Sequence, residues 1–372
     1  MKRIGIPIQN NTSVSFYRAY SVIVELRKAG HIVDMFHPND RTGYAKCDWI
    51  FSHMLFGKGA EKVVEMAQQM ECKIWIDVDD NIFNVPFSNI SFEHHVDRRR
   101  QRYILDKADM VTVSTKPLKS LIENFLMKNN ILLLENYLCI NGIEDPRTDG
   151  RRVVAWRGGA SHSEDFPDII DELYKIQEVC DELHFFGERP SGFTPNTHCQ
   201  VMWHKFTDMW TYMDTLKKVN PSVLFSYWAD IPFNTCKSDI VWQEATAAGA
   251  VLVMNTGWDA FEDMNEKDMW CYTKADELAK VVGIALDNDN KNAKRFWVNS
   301  KYILVNLWRH RYNEFLDVNA VLTGRSRPRQ ITHYMATNEP STGKNELNRE
   351  VIETLTEHDG DEAHDRYQED GI

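Results

Sequence analysis

Export signals, disulfide patterns and membrane-spanning runs are all missing from this sequence of 372 residues. Its seven cysteines are an odd number, widely scattered and without a C-x-x-C pair, so neither a disulfide framework nor a zinc finger is expected. No segment approaches the roughly 18–20 apolar residues that cross a bilayer. The segment Met1–Ile8 lacks the long apolar region and the cleavage site of a secretion signal. We therefore expect a cytoplasmic protein without a membrane span.

An excess of positive charge is missing as well. The net charge of −12 argues against a protein that coats nucleic acid by charge alone. Residues 326–372 hold eleven acidic and five basic side chains, a balance of −6, so half of the net charge lies there. Because this segment also has few large apolar residues, we predict that it is an acidic, disordered tail.

What the sequence does have is a regular alternation of short β-branched runs with longer amphipathic stretches. This alternation is typical of βαβ units and parallel sheets, so an α/β fold is predicted. The strands predicted in the first half are Arg3–Ile8, His31–Phe36, Trp49–His53, Lys73–Val78, Met110–Ser114 and Ile131–Leu134. Those predicted in the second half are Val153–Trp156, Leu183–Phe186, Val201–His204, Val223–Tyr227, Val251–Asn255 and Trp270–Tyr272.

The chain length and this repeated pattern predict two domains. A segment rich in Gly, Pro, Asp and Arg at 141–152 interrupts the pattern and is the predicted linker. The predicted organisation is a first domain at 1–140, a second at 153–295, helices at 296–325 and the tail at 326–372.

A glycine-rich turn follows the first strand of the second half. Gly158 and Gly159 stand between this strand and the helix predicted from Asp165, where backbone N–H groups can approach a phosphate closely. Arg157 and His162 could add charge or donors. The alternative is a tight turn that merely needs small residues.

A second segment, Pro232–Met254, combines a predicted helix start with charged residues. Ser238 is predicted to cap the helix, whose free N–H groups would form an anion site beside Lys237. Glu244, about two turns in, could accept hydrogen bonds from sugar or ribose hydroxyls. The alternative is that Lys237 and Glu244 are ordinary surface charges.

Three carboxylates end the predicted strand Lys73–Val78. Asp77, Asp79 and Asp80 stand where parallel strands border a ligand crevice, and they could orient hydroxyls, accept a proton or bind a divalent cation. The alternative is that Asp79 and Asp80 cap the turn and the following helix. The neighbouring pair His94-His95 lacks further ligands at suitable spacing, so no metal site is predicted.

A basic cluster follows these carboxylates at Arg98–Arg100 with Arg102. Such a run is usually a solvated helix face. Its alternative role is contact with a phosphate backbone.

Together these segments resemble the retaining nucleotide-sugar glycosyltransferases of the GT-B fold, particularly the variant of phage and bacterial genomes. The resemblance spans about Met1–Asp317. In the first half it includes Phe16-Tyr17-Arg18, Asp77–Asp80, Ala108–Thr115 and Glu135-Asn136. In the second half it includes Trp156–Gly159, Ser161-His162, Phe233-Asn234, Lys237-Ser238, Glu244-Ala245 and Gly249.

The resemblance implies two Rossmann-like domains whose parallel sheets face a central cleft, with the helices at 296–325, Trp308–Phe315 among them, returning to the first domain. Donor-binding residues would be Arg157, Gly158, Gly159, Ser161, Asn234, Lys237, Ser238 and Glu244. Catalytic residues would be Asp77, Asp79, Asp80 and His162. Acceptor-binding residues would be Arg18, Arg98 and Arg99. One departure is Cys236, because many relatives carry an acidic residue there, eight positions before the equivalent of Glu244.

The implied reaction moves a sugar from a nucleotide-diphosphate sugar, with a UDP-sugar expected, to an acceptor hydroxyl, with retention and without a metal or other cofactor. The predicted acceptor is a hydroxymethylated pyrimidine in phage DNA. Double-stranded DNA would then be a partner, and the protein would act in the host cytoplasm. One alternative acceptor is a polysaccharide or lipid-linked glycan. The other alternative is a non-catalytic nucleotide-binding or interaction protein, which Cys236 favours.

Overall fold

The structure is a computed structural model. It describes residues 1–7, 16–89, 92–128, 131–136, 138, 142–205, 207–258, 269–287, 297–298, 300–301, 304 and 313–325, without the side chains of 16, 160, 161, 163 and 287. The predicted tail at 326–372 lies outside these residues, as does most of the segment 288–312.

Six parallel strands form a sheet from the first half of the chain. They are β1 (Arg3–Pro7), β2 (Ile32–Phe36), β3 (Trp49–His53), β4 (Lys73–Val78), β5 (Met110–Val113) and β6 (Ile131–Leu133). The sheet order is β2-β1-β3-β4-β5-β6. Strands such as β4 are buried along nearly their whole length because helices cover both sides of a parallel sheet.

The described helices of this half lie between successive strands. They are α1 (Ser21–Lys28), α2 (Arg41–Ala45), α3 (Ala60–Gln69), α4 (Phe92–His95), α5 (Arg98–Lys107) and α6 (Lys116–Leu126). A π-helix, Phe16–Tyr20, precedes α1. Their starts follow local chemistry: Asp97 caps α5, and Thr115 caps α6 with a proline in the first turn.

A second sheet of six parallel strands comes from the other half. Its strands are β7 (Val153–Gly158), β8 (Glu182–Gly187), β9 (Gln200–His204), β10 (Val223–Ser226), β11 (Val251–Asn255) and β12 (Trp270–Tyr272). Its described α-helices are α7 (Phe166–Gln177), α8 (Met209–Val219), α9 (Ile240–Ala247) and α10 (Leu278–Asp287), and short 3₁₀ turns include Ala160–Asp165 and Asn234–Cys236. The predicted alternation of strands and helices is confirmed in both halves.

The two halves share this alternation but not the order of their strands. Counted within its own half, the second sheet runs 3-2-1-4-5-6, with a reversal between β7 and β10. The first sheet runs 2-1-3-4-5-6, with the reversal between β1 and β3. Ligands of such sheets bind at the carboxyl ends of the strands, beside the reversal. In the second sheet this point is the end of β7, where the glycine-rich turn begins.

Several contacts join the two halves. Residues 313–323 are helical, and Asn319 Oδ1 lies 2.8 Å from His31 Nε2 while Glu314 accepts a hydrogen bond from the Glu135 backbone. The described part of the 141–152 segment packs on the second half, where Gly249 adopts a φ of +79° and leaves no room for a Cβ against the Asp145 carbonyl. The exact domain boundaries stay a prediction. No helix among the described residues is long and apolar enough to span a bilayer.

Candidate functional site

A cavity of about 300 Å³ opens at the carboxyl ends of β7, β8 and β9. It lies at the position where the strand order of the second sheet predicts a ligand crevice. Its lining residues are Tyr17, Arg157, Gly158, Gly159, Phe186, Gly187, Trp203, His204, Lys205, Thr207, Met209, Tyr212, Thr215 and Glu244. One of them, Tyr17, comes from the first half of the chain. Four of the predicted donor-binding residues therefore share one cavity wall: Arg157, Gly158, Gly159 and Glu244.

Packing accounts for the glycine at the end of β7. A Cβ on Gly158 would come within 2.6 Å of the Trp156 ring and 2.9 Å of the His162 ring. The main chain consequently runs directly along the cavity wall at Gly158 and Gly159. Such an exposed backbone can approach a bound phosphate without steric interference.

Glu244 is the most enclosed charged group of the cavity, with 1% of its surface exposed. Arg157 Nε lies 2.5 Å from its Oε2 as an ion pair, and the Tyr212 hydroxyl donates to the same oxygen at 3.0 Å. The Tyr17 hydroxyl donates to Oε1. Burial and the negative charge of Glu244 raise the pKa of both tyrosines well above the usual value. Both hydroxyls therefore stay protonated and act as hydrogen-bond donors.

Arg157 brings a positive charge to the cavity wall. Burial alone would lower its pKa, but the charge of Glu244 outweighs burial and raises it, so the guanidinium stays protonated. Its Nη2 is buried and has no hydrogen-bond partner among the described residues. A buried donor without a partner is costly, and Arg157, which lines the cavity, would gain a partner by turning this nitrogen toward an anionic ligand there.

His162, the predicted catalytic histidine, is not part of the cavity lining. Its Nδ1 lies 2.8 Å from Asp165 Oδ2. Burial lowers the pKa of His162, which keeps the ring neutral at neutral pH. Asp165 Oδ1 in turn accepts hydrogen bonds from the Ala229 backbone and from Asn234 Nδ2. Asn234, predicted to bind the donor, is thus tied to Asp165, although its Oδ1 is buried without a partner among the described residues.

The Lys237-Ser238 pair faces the first half of the chain. Lys237 Nζ lies 3.4 Å from Asp80 Oδ1 and 4.4 Å from the centre of the Phe233 ring. The prediction that Ser238 caps the following helix is wrong: α9 begins at Ile240 with Asp239 in the cap position. The Ser238 hydroxyl instead accepts a hydrogen bond from Asn136, because the packing of the two halves brings that amide to 2.8 Å.

The three predicted catalytic carboxylates have different surroundings. Asp77 is fully buried, and both of its oxygens are engaged by Arg18, His53 and the Thr112 hydroxyl. Burial alone would raise its pKa, but the Arg18 charge holds that pKa far below its usual range. Asp79 has no such arginine partner, and burial raises its pKa to about 6. Asp80 pairs with Lys237.

The predicted acceptor-binding arginines are not brought together. Arg18 is 1% exposed, and its guanidinium also donates to the Leu134 carbonyl and to Asn136. Arg98 donates to the carbonyls of Ile82 and Phe83. Arg99 is exposed near the start of α5. The side chain of Ser161, a predicted donor contact, lies outside the described residues.

The sequence did not point to the aromatic residues of the cavity. Tyr17 belongs to the segment Phe16-Tyr17-Arg18, but Phe186, Trp203, His204 and Tyr212 lie in none of the motifs. Phe186, Trp203 and His204 lie at the carboxyl ends of β8 and β9, so the general position of ligand sites in parallel sheets was an available signal. Within the described residues, no group of three or more His, Cys, Asp or Glu is placed to hold a metal ion.

No protein-family profile and no curated protein matches this sequence. Solved structures do share its architecture. HepE from Anabaena in complex with UDP-glucose has 10% identity and a TM-score of 0.56, over 87% of this chain and 99% of that one. A glycosyltransferase from Rickettsia africae has 11% identity and a TM-score of 0.56 over the same shares. An α,α-trehalose-phosphate synthase (UDP-forming) from Burkholderia vietnamiensis has 8% identity and a TM-score of 0.54, over 87% of this chain and 100% of that one.

These structural neighbours are glycosyltransferases of the GT-B fold. The fold class predicted from the sequence, α/β of the GT-B type with two parallel sheets, is therefore confirmed. At identities of 8–11% the likeness shows the fold, and any activity depends on the residues of the site.

Proposed function

We propose that this protein is a glycosyltransferase that moves a sugar from a UDP-sugar to an acceptor hydroxyl. The observation that carries the proposal is the cavity at the carboxyl ends of β7–β9, where Arg157, Gly158, Gly159 and Glu244 meet. A cation, an exposed glycine backbone and a carboxylate suit the diphosphate and the ribose of a nucleotide. Among the fold neighbours, HepE holds UDP-glucose and the synthase is UDP-forming.

The volume of the cavity fits the nucleotide part of such a donor. About 300 Å³ lies at the small end of the range for ligand sites, so the sugar would extend beyond the enclosed part. In this arrangement Glu244 accepts from ribose hydroxyls, and the Arg157 guanidinium donates to the diphosphate. Positive charge there stabilises the leaving group as the glycosidic bond to it breaks.

Cys236 bears on how the sugar itself is held. The residue is 2% exposed and packs in the core of the first half, while its carbonyl accepts a hydrogen bond from Thr115. Its thiol is therefore no substitute for a carboxylate at the sugar. Asn234, with an unsatisfied Oδ1, and Lys237 are the nearby groups that we assign to this role.

Among the three predicted catalytic carboxylates, Asp79 suits proton transfer best. The Arg18 charge and three hydrogen-bonding side chains keep Asp77 ionised and occupied. Asp79, with a pKa raised to about 6, stands near the value that favours a general base at neutral pH. We assign Asp79 to the acceptor hydroxyl and give Asp77 a structural role.

The proposed acceptor comes from the sequence, and the structure weakens one of the two arguments for DNA. A hydroxymethylated pyrimidine in phage DNA was inferred partly from the arginine cluster. Arg100 pairs with Glu61, and Arg102 donates to the Phe125 carbonyl and lies 3.5 Å from Asp106. These contacts neutralise much of the cluster, which favours a glycan acceptor as the second candidate.

The proposal is tested by binding and then by turnover. Calorimetric titration should show that UDP and UDP-glucose bind with a 1:1 stoichiometry, and transfer should follow when the correct acceptor is present. The acceptor arms are hydroxymethylated DNA, unmodified DNA and a polysaccharide or lipid-linked glycan, and NMR of the product tests retention at the anomeric carbon. Failure of every nucleotide sugar to bind would overturn the proposal. Binding without transfer to any acceptor would favour the non-catalytic alternative.

A further inference from the structure

Three side chains on β8 and β9 form a hydrogen-bonded array that ends at the cavity. Glu182 Oε2 lies 3.1 Å from His184 Nε2, and His184 Nδ1 lies 2.9 Å from His204 Nε2. The two imidazole planes are within 8° of each other. His204 lines the cavity, whereas Glu182 and His184 do not.

The carboxylate at the start of the array determines the position of every proton. Arg151 forms an ion pair with Glu182, 2.5 Å from its Oε1, and a carboxylate paired in this way only accepts hydrogen bonds. His184 must therefore carry its proton on Nε2. Burial lowers the pKa of both histidines, so each ring is neutral and has one N–H. The bare Nδ1 of His184 then accepts from His204 Nε2–H, which leaves His204 Nδ1 without a proton.

The environment of His204 makes this free nitrogen available to a ligand. Its Nε2 is turned toward His184, which is 3% exposed, and its ring stacks on Phe186 with centroids 4.2 Å apart. His204 Nδ1 has no hydrogen-bond partner among the described residues. His204 therefore brings to the cavity lining an aromatic ring whose N–H is already used and whose other nitrogen is a hydrogen-bond acceptor.

We propose that His204 selects the nucleobase of the donor by accepting a hydrogen bond from its ring N–H, with Glu182 and His184 as positioning residues that fix its tautomer. This inference rests on the proposed function, because it takes the cavity as the nucleotide site. Uracil has an N–H at position 3 and matches a bare Nδ1. Cytosine has a lone pair at the same position, so it would face His204 acceptor to acceptor. The site therefore discriminates UDP from CDP.

The test compares the affinities for UDP and CDP, measured by calorimetry, in the wild type and three variants. His204→Phe keeps an aromatic ring but loses the acceptor, and we expect the preference for UDP over CDP to fall about tenfold. Glu182→Gln removes the carboxylate that fixes the tautomer of His184. It should lower the preference for UDP over CDP by a smaller factor than His204→Phe does. The control is Glu178→Gln, an exposed position hydrogen-bonded to Asn196 and outside the array, which should leave the preference unchanged.

A second readout needs no variant. ¹⁵N NMR of the free wild-type protein distinguishes histidine tautomers, and it should show His184 and His204 both protonated on Nε2. Protonation of His204 on Nδ1 would overturn the inference, as would an unchanged preference in a folded His204→Phe protein. Failure of the proposed function looks different, because neither UDP nor CDP would then bind to the wild type.

Discussion

Two buried carboxylates, one in each half, show how similar residues produce different sites. Asp77 and Glu244 are both at most 1% exposed, and each is paired with an arginine and hydrogen-bonded by hydroxyl groups. The partners of Asp77 all come from the first half and occupy both of its oxygens. Glu244 instead borders a cavity and has one partner, Tyr17, from the other half. Because the cavity lies beside the Glu244 carboxylate, a ligand can replace one of its present hydrogen-bond partners. Of these two carboxylates, only Glu244 is placed to bind a ligand.

Removal of the arginine at Asp77 should give the largest effect. Arg18→Met leaves a carboxylate with no arginine in a site without water access, so we expect the free energy of unfolding to fall by about 3–5 kcal/mol. Urea denaturation followed by circular dichroism measures the change. Arg41→Met, at an exposed position, is the control and should stay within about 0.5 kcal/mol of the wild type. An Arg18→Met protein as stable as the control would refute the structural role of the Arg18–Asp77 pair.

The equivalent change beside the cavity should affect binding more than stability. Arg157→Met removes the donor assigned to the diphosphate, and we expect the Kd for UDP to rise about 30-fold, or about 2 kcal/mol, with little change for uridine. Because water and two tyrosines can still solvate Glu244, the loss of stability should be smaller than for Arg18→Met. Lys218→Met changes the net charge equally at an exposed site and should bind UDP normally. Equal destabilisation by both arginine substitutions would remove the contrast between the two carboxylates.

Asp79, also in the first half, can be compared with Asp77. The pKa of Asp79 is raised, whereas that of Asp77 is lowered. Its folded-state pKa of about 6 exceeds the value of about 3.9 in an unfolded chain, so ionisation costs stability as the pH rises through this window. Because two pKa units correspond to about 3 kcal/mol, Asp79→Asn should be more stable than the wild type by about that amount at pH 8 and by less than about 0.5 kcal/mol at pH 4. The measurement is chemical denaturation at both pH values. Asp171→Asn, at an exposed position, should show no such pH-dependent difference.

Local sequence patterns were sufficient to predict the strands, because each of the twelve predicted runs overlaps an observed strand. Positions at strand ends were likewise predictable, which is why Arg157 and Gly158 fell at the cavity. The different strand orders of the two sheets could not be read from periodicity, since alternation alone does not say which strands are neighbours. Contacts between the two halves could not be predicted from local sequence patterns either. Ser238 shows this, because its hydroxyl bonds with Asn136, 102 positions away, instead of capping the nearby helix.

The smallest expected effect concerns the hydroxyl that reaches Glu244 from the first half. Tyr17 donates to Oε1, the oxygen that a ribose hydroxyl would need, so the protein must exchange this bond when a nucleotide binds as proposed. Tyr17→Phe frees that oxygen, and we expect UDP to bind about threefold more tightly, which corresponds to about 0.7 kcal/mol. Tyr212→Phe is the matched comparison, because Tyr212 comes from the same half as Glu244 and donates to Oε2, which Arg157 also contacts. Its loss should leave the affinity unchanged or lower it. Weaker binding of UDP by Tyr17→Phe would mean that the first half supports the nucleotide rather than competing with it.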